Sequence, residues 1–209
     1  GEPHHVQFTE VEIGAITQEA HRVDIPVAAH AQHTSSVKHA LRNGVDTIEH
    51  GIDIDQECID LFKQNDATLV PTLLCISRLA NQADNSDDEE AAEAAKTALE
   101  THIESLKRSY ENGVEIALGS DIVGAPPLGP HGENTEEAVL YVEEIGMTPM
   151  DAIKAGTIAA ARTIPANDIG SLKPGNRADF VVLGDNPLAD INALRDVEAV
   201  YKNGKRMFG

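Results

Sequence analysis

The chain has 209 residues, enough for one large domain or for one domain with a small appendage. It carries 35 acidic against 16 basic residues, a formal net charge of −19, which argues against nucleic acids and anionic membranes as partners because binding them requires Lys and Arg to neutralise phosphates. Aromatic residues make up only 3% of the chain and Trp is absent, so the apolar content favours helices packed on strands over an aromatic-rich β-sandwich.

The first three quarters of the chain alternate between helix and strand patterns. Residues 8–22 form an amphipathic helix pattern that opens on Thr9, with Glu12 three residues later, and this spacing predicts a capping box. Thr148 followed by Pro149 is a second helix start signal. The remaining pattern predicts strands at 24–31, 45–51, 67–74 and 114–121 and helices at 34–44, 55–66, 84–113, 134–146 and 148–164.

Strands that alternate with helices predict an α/β fold in which parallel strands are joined by right-handed crossovers. Four such units make half of a (β/α)8 barrel, the TIM barrel. An open doubly wound sheet is the competing architecture. Its glycine-rich nucleotide-binding signature and the P-loop are absent from this sequence.

The composition and the predicted secondary structure of the sequence change after Ile164. The segment that follows is rich in turn residues, residues 178–183 form a strand pattern, and residues 197–209 resemble a hairpin with Asn203-Gly204 at its turn. This β appendage is too small to be stable alone. We therefore predict a boundary between residues 1–164 and residues 165–209.

The last residues of the predicted strands carry the candidate chemistry, because in a βα barrel the active site lies at the carboxyl ends of the strands. The first strand ends on His30, the second on His50, the third on Pro71-Thr72 and the fourth on Asp121. Two imidazoles and a carboxylate suit zinc or a similar divalent metal. Taken singly, each His could equally be a polar cap at a strand end. Together on one rim they predict metal ligands.

Small residues below the predicted ligands support this interpretation. Ala28 shares a strand face with His30, and Ala117 and Gly119 share a face with Asp121. Glu49 precedes His50 and has the opposite parity, so we expect it to support the site or to face the helices, and not to be a ligand.

Other polar residues are weaker candidates for the functional site. Thr72 at its strand end and His131 on a rim loop are predicted to contact substrate, although His131 could also be an ordinary exposed loop residue. His33 is expected to cap a helix or to lie on the rim. The remaining histidines lie before or on helices and are expected at the surface: His4, His5, His21, His39 and His102.

Six segments in order resemble the second half of the amidohydrolase superfamily, in the branch related to imidazolonepropionase that includes metal-dependent prolidases. They are "VAAHAQ", "GVDTIEHG", "VPTL", "GVEIALGSD", "GMTPMDAIKAGTIAAAR" and "IGSLKPGNRADFVVLGDNPLADI". The resemblance implies a barrel with one or two divalent metals, most simply Zn²⁺, and a small β-sandwich domain built from both chain ends. It also implies hydrolysis of a C–N bond in a dipeptide or an imidazolone-type ring.

The ligands of that family are an H-x-H on strand 1, a carboxylated Lys on strand 4, a His each on strands 5 and 6, and an Asp on strand 8. By motif match the resemblance makes His30, His50 and Asp121 the ligands of strands 5, 6 and 8. The resemblance also implies that Asp121 is the catalytic general base. No H-x-H or bridging Lys precedes the first helix, and "PHH" at Pro3–His5 has the wrong spacing. The chain is therefore expected to be a C-terminal fragment holding strands 5–8, and alternatively a catalytically incomplete or binding module.

Composition also suggests a location and an assembly state. The two cysteines, Cys58 on a predicted helix and Cys75 on a predicted strand, show no CxxC spacing, which favours a reduced cytoplasmic protein. An acidic surface with few lysines is typical of proteins that stay soluble at high salt, so we expect a halophilic source. A half-barrel exposes two strand edges, and we therefore expect a homo-oligomer with a small-molecule or dipeptide substrate.

Overall fold

The computed structural model describes residues 6–85 and 87–209 of the chain, so the predicted surface histidines His4 and His5 and the "PHH" segment lie outside the described residues. The helices are α1 (Glu10–His21), α2 (Thr34–Arg42), α3 (Gln56–Asn65), α4 (Leu73–Asp84), α5 (Glu89–Glu111), α6 (Thr135–Glu143), α7 (Pro149–Lys154) and α8 (Ala160–Arg162). The strands are β1 (Ala28–Ala31), β2 (Thr47–His50), β3 (Thr68–Val70), β4 (Glu115–Ile116), β5 (Phe180–Leu183), β6 (Val197–Lys202) and β7 (Lys205–Phe208).

The predicted capping box opens α1. The Thr9 hydroxyl accepts the Glu12 N–H at 3.3 Å, and the Glu12 carboxylate accepts the Thr9 N–H at 2.8 Å. Two backbone donors that the helix itself cannot pair are thereby satisfied. The start of the first βα unit is thus set by local sequence alone.

The first four strands form one parallel sheet in the order β1-β2-β3-β4. The register pairs Ala28 with Thr47, Thr47 with Thr68, and Thr68 with Glu115. Each strand lies beside its predecessor with no reversal of order, whereas a doubly wound sheet reverses direction at a switch point. The predicted parallel α/β fold is confirmed.

The two faces of this sheet differ. On one face Ile48, Leu69 and Ile116 join the main hydrophobic core beneath the helices, and the first two are 0% exposed. On the other face Thr47 and Thr68 lie beside Val70, which packs with Ala117. At its β1 end this second face is open, and His30 there is exposed.

The third predicted strand extends four residues too far at its carboxyl end. The pattern predicts a strand over 67–74, but β3 ends at Val70 and α4 begins at Leu73. Pro71 has no N–H to donate to a ladder, and the backbone of Thr72 turns to a left-handed φ of 52°. The predicted strand position of Cys75 is therefore wrong, since it lies on α4.

The acidic helix predicted over 84–113 is shorter at its start. Asp84 instead ends α4, and α5 runs from Glu89 to Glu111. The Asp88 carboxylate accepts the Ala91 N–H at 3.0 Å and so caps the start of α5. The Asp88 cap therefore starts a new helix at a point where the sequence pattern predicts one continuous helix.

The helix predicted over 148–164 contains a π-helical turn. It begins as α7, passes through Ala155–Ala159 in π geometry and ends as α8. The Ala155 carbonyl accepts the Leu118 N–H at 2.9 Å. This contact ties the π turn to the chain just beyond β4 and so supports the segment that leads to Asp121.

The second sheet is antiparallel in the order β5-β6-β7. Asn203 and Gly204 both have positive φ, 51° and 72°, as the predicted hairpin turn requires. Phe180 stacks on Tyr201 across β5 and β6, with ring centroids 4.5 Å apart. The division between residues 1–164 and 165–209 stays a prediction.

Among the helices of residues 6–85 and 87–209, none has the length and the apolar character that a membrane span requires.

Candidate active site

The backbone changes direction at or beyond the carboxyl ends of three strands: His50 ends β2, whereas Thr72 follows β3 and Asp121 follows β4. Because β4 ends at Ile116, the predicted place of Asp121 as the last residue of a strand is wrong, and it lies in the loop after that strand. His50, Thr72 and Asp121 have left-handed φ values of 75°, 52° and 51°. Non-glycine residues rarely adopt this conformation, and for a β-branched residue such as Thr72 it is an outlier. Such strain persists only where the surrounding structure enforces it, and it clusters at functional sites.

His30 and His50 lie side by side at this edge of the sheet. Their ring centroids are 4.5 Å apart and the rings meet edge to face at 75°. His30 is exposed, whereas only 7% of His50 is accessible. Two of the three predicted ligands thus come together, although they belong to successive strands separated by a helix.

Asp121 acts electrostatically on His50. Burial lowers the pKa of His50, the neighbouring His30 lowers it further, and the carboxylate of Asp121 partly opposes both. His50 is therefore neutral at pH 7, and a neutral imidazole has the lone pair that a metal ligand needs.

Thr72 lies behind His50. It is 3% exposed, and its Oγ1 is 2.6 Å from His50 Nδ1. One ring nitrogen of His50 is thereby engaged, which leaves Nε2 as the atom for a ligand bond. The predicted contact of Thr72 with substrate stays a prediction, but its hydroxyl is turned toward the imidazole.

Cys75 contacts Asp121, a pairing that sequence reasoning missed. The Cys75 thiol donates to Asp121 Oδ2 with an Sγ–O distance of 3.7 Å. Burial, with the charge of Asp121, raises the pKa of Cys75 to about 11, so the thiol keeps its proton. No sequence signal links the two residues, because the pattern places Cys75 on a strand, whereas it lies in the first turn of α4.

Glu49 lies on the same sheet face as His30, because the register pairs the two residues directly. Its Oε1 accepts the Thr47 hydroxyl at 2.8 Å on that face. Burial raises the pKa of Glu49, the Thr47 hydrogen bond opposes this, and Asp121 raises it again. The helix-facing alternative for Glu49 is wrong, because the left-handed backbone of His50 breaks the alternation on which the parity argument relied.

The other candidate histidines have separate positions. His33 caps α2, its Nδ1 accepting the Ser35 N–H at 3.4 Å, which confirms the helix-cap expectation. His131 is exposed and lies against Gly124, so its contact with substrate stays a prediction. The expectation that His102 is a surface residue is wrong: it is 0% exposed within the packing of α5.

The chemistry of His30, His50 and Asp121 fits a divalent metal, whereas their number falls short of a complete ligand set. Two imidazoles and a carboxylate are the donors that zinc takes. Across residues 6–85 and 87–209, no group of three or more His, Cys, Asp or Glu side chains is placed to hold a metal ion. These residues thus form a pair of adjacent imidazoles with a carboxylate nearby, which is part of a site.

The parallel sheet, with polar side chains beyond the carboxyl ends of its strands, places the chain in the α/β class of folds. Residues 1–207 match the amidohydrolase family, and the chain belongs to that family. The family is generally metal-dependent. The resemblance inferred from the six motifs is confirmed.

Individual relatives match most of the chain. Ochratoxinase of Aspergillus niger is 32% identical over 213 residues, which cover 99% of this chain and 43% of that protein. The crystal structure of A. niger ochratoxinase aligns with a TM-score of 0.91 at 30% identity, over 100% of this chain and 48% of that one. A crystal structure of a Xaa-Pro dipeptidase with bound methionine in the active site aligns with a TM-score of 0.88 at 33% identity, over 97% of this chain and 50% of that one.

A second group of relatives matches a shorter stretch. Imidazolonepropionase of Deinococcus deserti is 33% identical over 104 residues, which cover 48% of this chain and 26% of that protein. The chain spans less than half the length of the ochratoxinase that it matches, 43%.

Proposed function

We propose that this chain belongs to a metal-dependent amidohydrolase that cleaves a C–N bond in a small substrate, such as a dipeptide or an imidazolone-type ring. The observation that carries the proposal is the pair formed by His30 and His50, with ring centroids 4.5 Å apart at the carboxyl edge of the sheet. The relationship to an ochratoxinase and to a Xaa-Pro dipeptidase supports an amide substrate.

His30 and His50 would hold a divalent metal, most simply one or two zinc ions, with His50 offering Nε2. When bound, such an ion supplies a water molecule that ionises near pH 7. Asp121 accepts the proton of the attacking water and returns it to the leaving nitrogen. The Cys75 thiol donates a hydrogen bond to Oδ2 of this carboxylate and so helps to orient it.

We further propose that β1 to β4 are strands 5–8 of a (β/α)8 barrel and that residues 165–209 belong to a small β-sandwich domain. The sequential parallel order of the strands supports this arrangement. So does the open sheet face at His30, since the inside of a barrel would be covered by the opposite strands.

A second candidate is that the chain by itself is catalytically incomplete or serves as a binding module. It is favoured by the lack, among the residues described, of any cluster of three side chains able to hold a metal. The H-x-H and the carboxylated Lys of the family would then come from a part of the protein outside this chain. Both candidates hold if the whole protein is the enzyme and this chain is part of it.

Metal-dependent hydrolysis tests the proposal. We expect the protein encoded by the full native reading frame, loaded with zinc, to hydrolyse a Xaa-Pro dipeptide or a related amide, to lose activity on chelation and to regain it with added zinc. His50→Ala should lose bound zinc by elemental analysis, whereas His33→Ala, which alters a helix cap, should retain it. Hydrolysis that survives complete removal of metal would contradict the mechanism.

We also propose that isolated copies of this chain associate. β1 and β4 are the edges of the parallel sheet, and a groove of about 530 Å³ runs along β1, lined mostly by apolar residues and also by His30. Parallel strands with unpaired edges and adjacent apolar surface favour pairing of one copy's β1 with another copy's β4. Light scattering should report a dimer or larger species, and a monodisperse monomer would refute the association.

A further inference from the structure

The segment Pro71–Leu74, which links β3 to α4, lies directly behind His50. Thr72 occupies the N-cap position of α4, where a Thr hydroxyl would ordinarily accept an N–H of its own helix. Here the hydroxyl makes no such bond and is 2.6 Å from His50 Nδ1. Something else must therefore satisfy the first donors of α4.

Glu137 of α6 supplies that cap from a distant part of the chain. Its Oε1 accepts the Leu73 N–H at 2.8 Å and its Oε2 accepts the Leu74 N–H at 2.7 Å. The side chain is 0% exposed, so these bonds do not compete with water. By capping α4 in place of Thr72, Glu137 leaves the Thr72 hydroxyl available to His50.

His102 of α5 holds the other side of the same segment. Its Nε2 lies 2.9 Å from the Pro71 carbonyl, and because a carbonyl oxygen only accepts, Nε2 carries the proton. The ring is 0% exposed, and its Nδ1 is buried without a hydrogen-bond partner. Because the ring is buried, its bond to the Pro71 carbonyl does not compete with water and holds the segment in place.

We propose that Glu137 and His102 are positioning residues for His50. They fix the backbone on both sides of Thr72, and so keep this β-branched residue in its left-handed conformation, with φ at 52°. In that conformation the Thr72 hydroxyl accepts a hydrogen bond from His50 Nδ1–H. This arrangement selects the His50 tautomer whose Nε2 carries the free lone pair. The importance of that lone pair rests on the proposed function, whereas the hydrogen-bond arrangement does not.

The tautomer of His50 is the direct test. In metal-free, ¹⁵N-histidine-labelled chain at pH 8, we expect the NMR signals of His50 to show Nδ1–H in about tenfold excess, a preference that one buried hydrogen bond can supply. Thr72→Ser should keep this tautomer because it keeps the hydroxyl. Thr72→Val should shift the proton to Nε2, the position that free imidazole side chains prefer.

Glu137→Gln should shift the tautomer in the same direction as Thr72→Val, since an amide cannot accept both N–H groups and α4 would recruit Thr72 as its cap. The matched control is Glu136→Gln, one residue earlier on α6, where the carboxylate pairs with Arg195 at the surface. If Glu137→Gln does not fold by circular dichroism, His102→Asn makes the same test from the other side of the segment. A wild-type His50 protonated on Nε2, or a folded Glu137→Gln with an unchanged tautomer, would overturn the proposal.

Activity separates this inference from the proposed function. In the full-length protein Thr72→Val should weaken zinc binding about 10–100-fold, the usual effect of losing a partner of a metal-binding His, and Thr72→Ser should restore it. A shifted tautomer in a protein whose wild type shows no metal-dependent hydrolysis would refute the function and leave the positioning role intact. Hydrolysis with an unchanged tautomer in Glu137→Gln would do the reverse.

Discussion

Asp121→Asn in the full-length protein is expected to lower kcat by about 10²–10⁴-fold, the range that positioned general bases contribute. The Asn amide has nearly the shape of the carboxylate, and its oxygen can still accept the hydrogen bond from the Cys75 thiol. The amide cannot take a proton from water, however. Asp121 is exposed, so folding should be little affected. The measurements are kcat, KM and zinc content on one preparation.

The control for this variant is Asp185→Asn, at another exposed Asp, which lies just beyond β5 and accepts the Asn186 N–H. It makes the same chemical change far along the chain from the predicted site, and it should leave kcat unchanged. An unaltered kcat in Asp121→Asn would remove Asp121 from the mechanism. A kcat that falls only in proportion to lost zinc would make Asp121 a ligand without a role as a base.

Opposite pH effects of two buried groups are expected in the stability of this chain. Burial raises the pKa of Glu137 to about 7, against the hydrogen bonds from Leu74, Leu73 and Tyr141. Its folded pKa lies above the ordinary value of 4.5, so its contribution is fully present below pH 4.5 and is lost as the pH rises through 7. Between pH 5 and 7.5 this amounts to about 2–3 kcal/mol of unfolding free energy.

The titration of His102 changes the stability with pH in the opposite direction. Burial lowers its pKa to about 4 from 6.5, against its hydrogen bond to Pro71. The unfolded chain therefore binds the proton first, and the contribution of His102 is present above pH 6.5 and lost as the pH falls through 4. From pH 5 upward this is a gain of about 2 kcal/mol. The two effects oppose each other over most of the same interval in the wild type.

Single variants should separate these effects. We expect urea unfolding of Glu137→Gln to show stability rising with pH between 5 and 7.5, because Glu137 no longer opposes the His102 effect. His102→Asn should show stability falling over that interval. Glu136→Gln, which changes an exposed ion pair, should follow the wild-type profile. A Glu137→Gln profile parallel to that of the wild type would show that the buried carboxyl titrates as in the unfolded chain.

Much of the fold could be predicted because its signals are local. The capping box at Thr9 and the hairpin turn at Asn203-Gly204 depend on residues within three positions of each other, and both are present. The predictions failed where a distant group decided the outcome. The end of β3 is one such place, since the start of α4 depends on Glu137, 64 residues beyond Leu73.

The candidate site was also predicted correctly where the signal is local and incorrectly where the backbone departs from a regular strand. The positions of His30 and His50 at the carboxyl ends of β1 and β2 followed from the alternation of helix and strand, and the structure places the two rings together. Asp121 lies in the loop after β4, which ends at Ile116. The parity argument for Glu49 failed because it assumed an extended backbone at His50, which has a φ of 75°. A left-handed residue at a strand end leaves no mark in the hydrophobic pattern.

By itself, the sequence determined the class of fold, the family and the two strand ends that carry imidazoles, because these properties follow from periodicity and from motifs of adjacent residues. Only the tertiary structure decided which nitrogen of His50 is engaged, where the Thr72 hydroxyl points, and that Glu137 and His102 are buried behind them. Those features depend on hydrogen bonds between helices and loops that are far apart along the chain. Such bonds form only when packing excludes water from both partners.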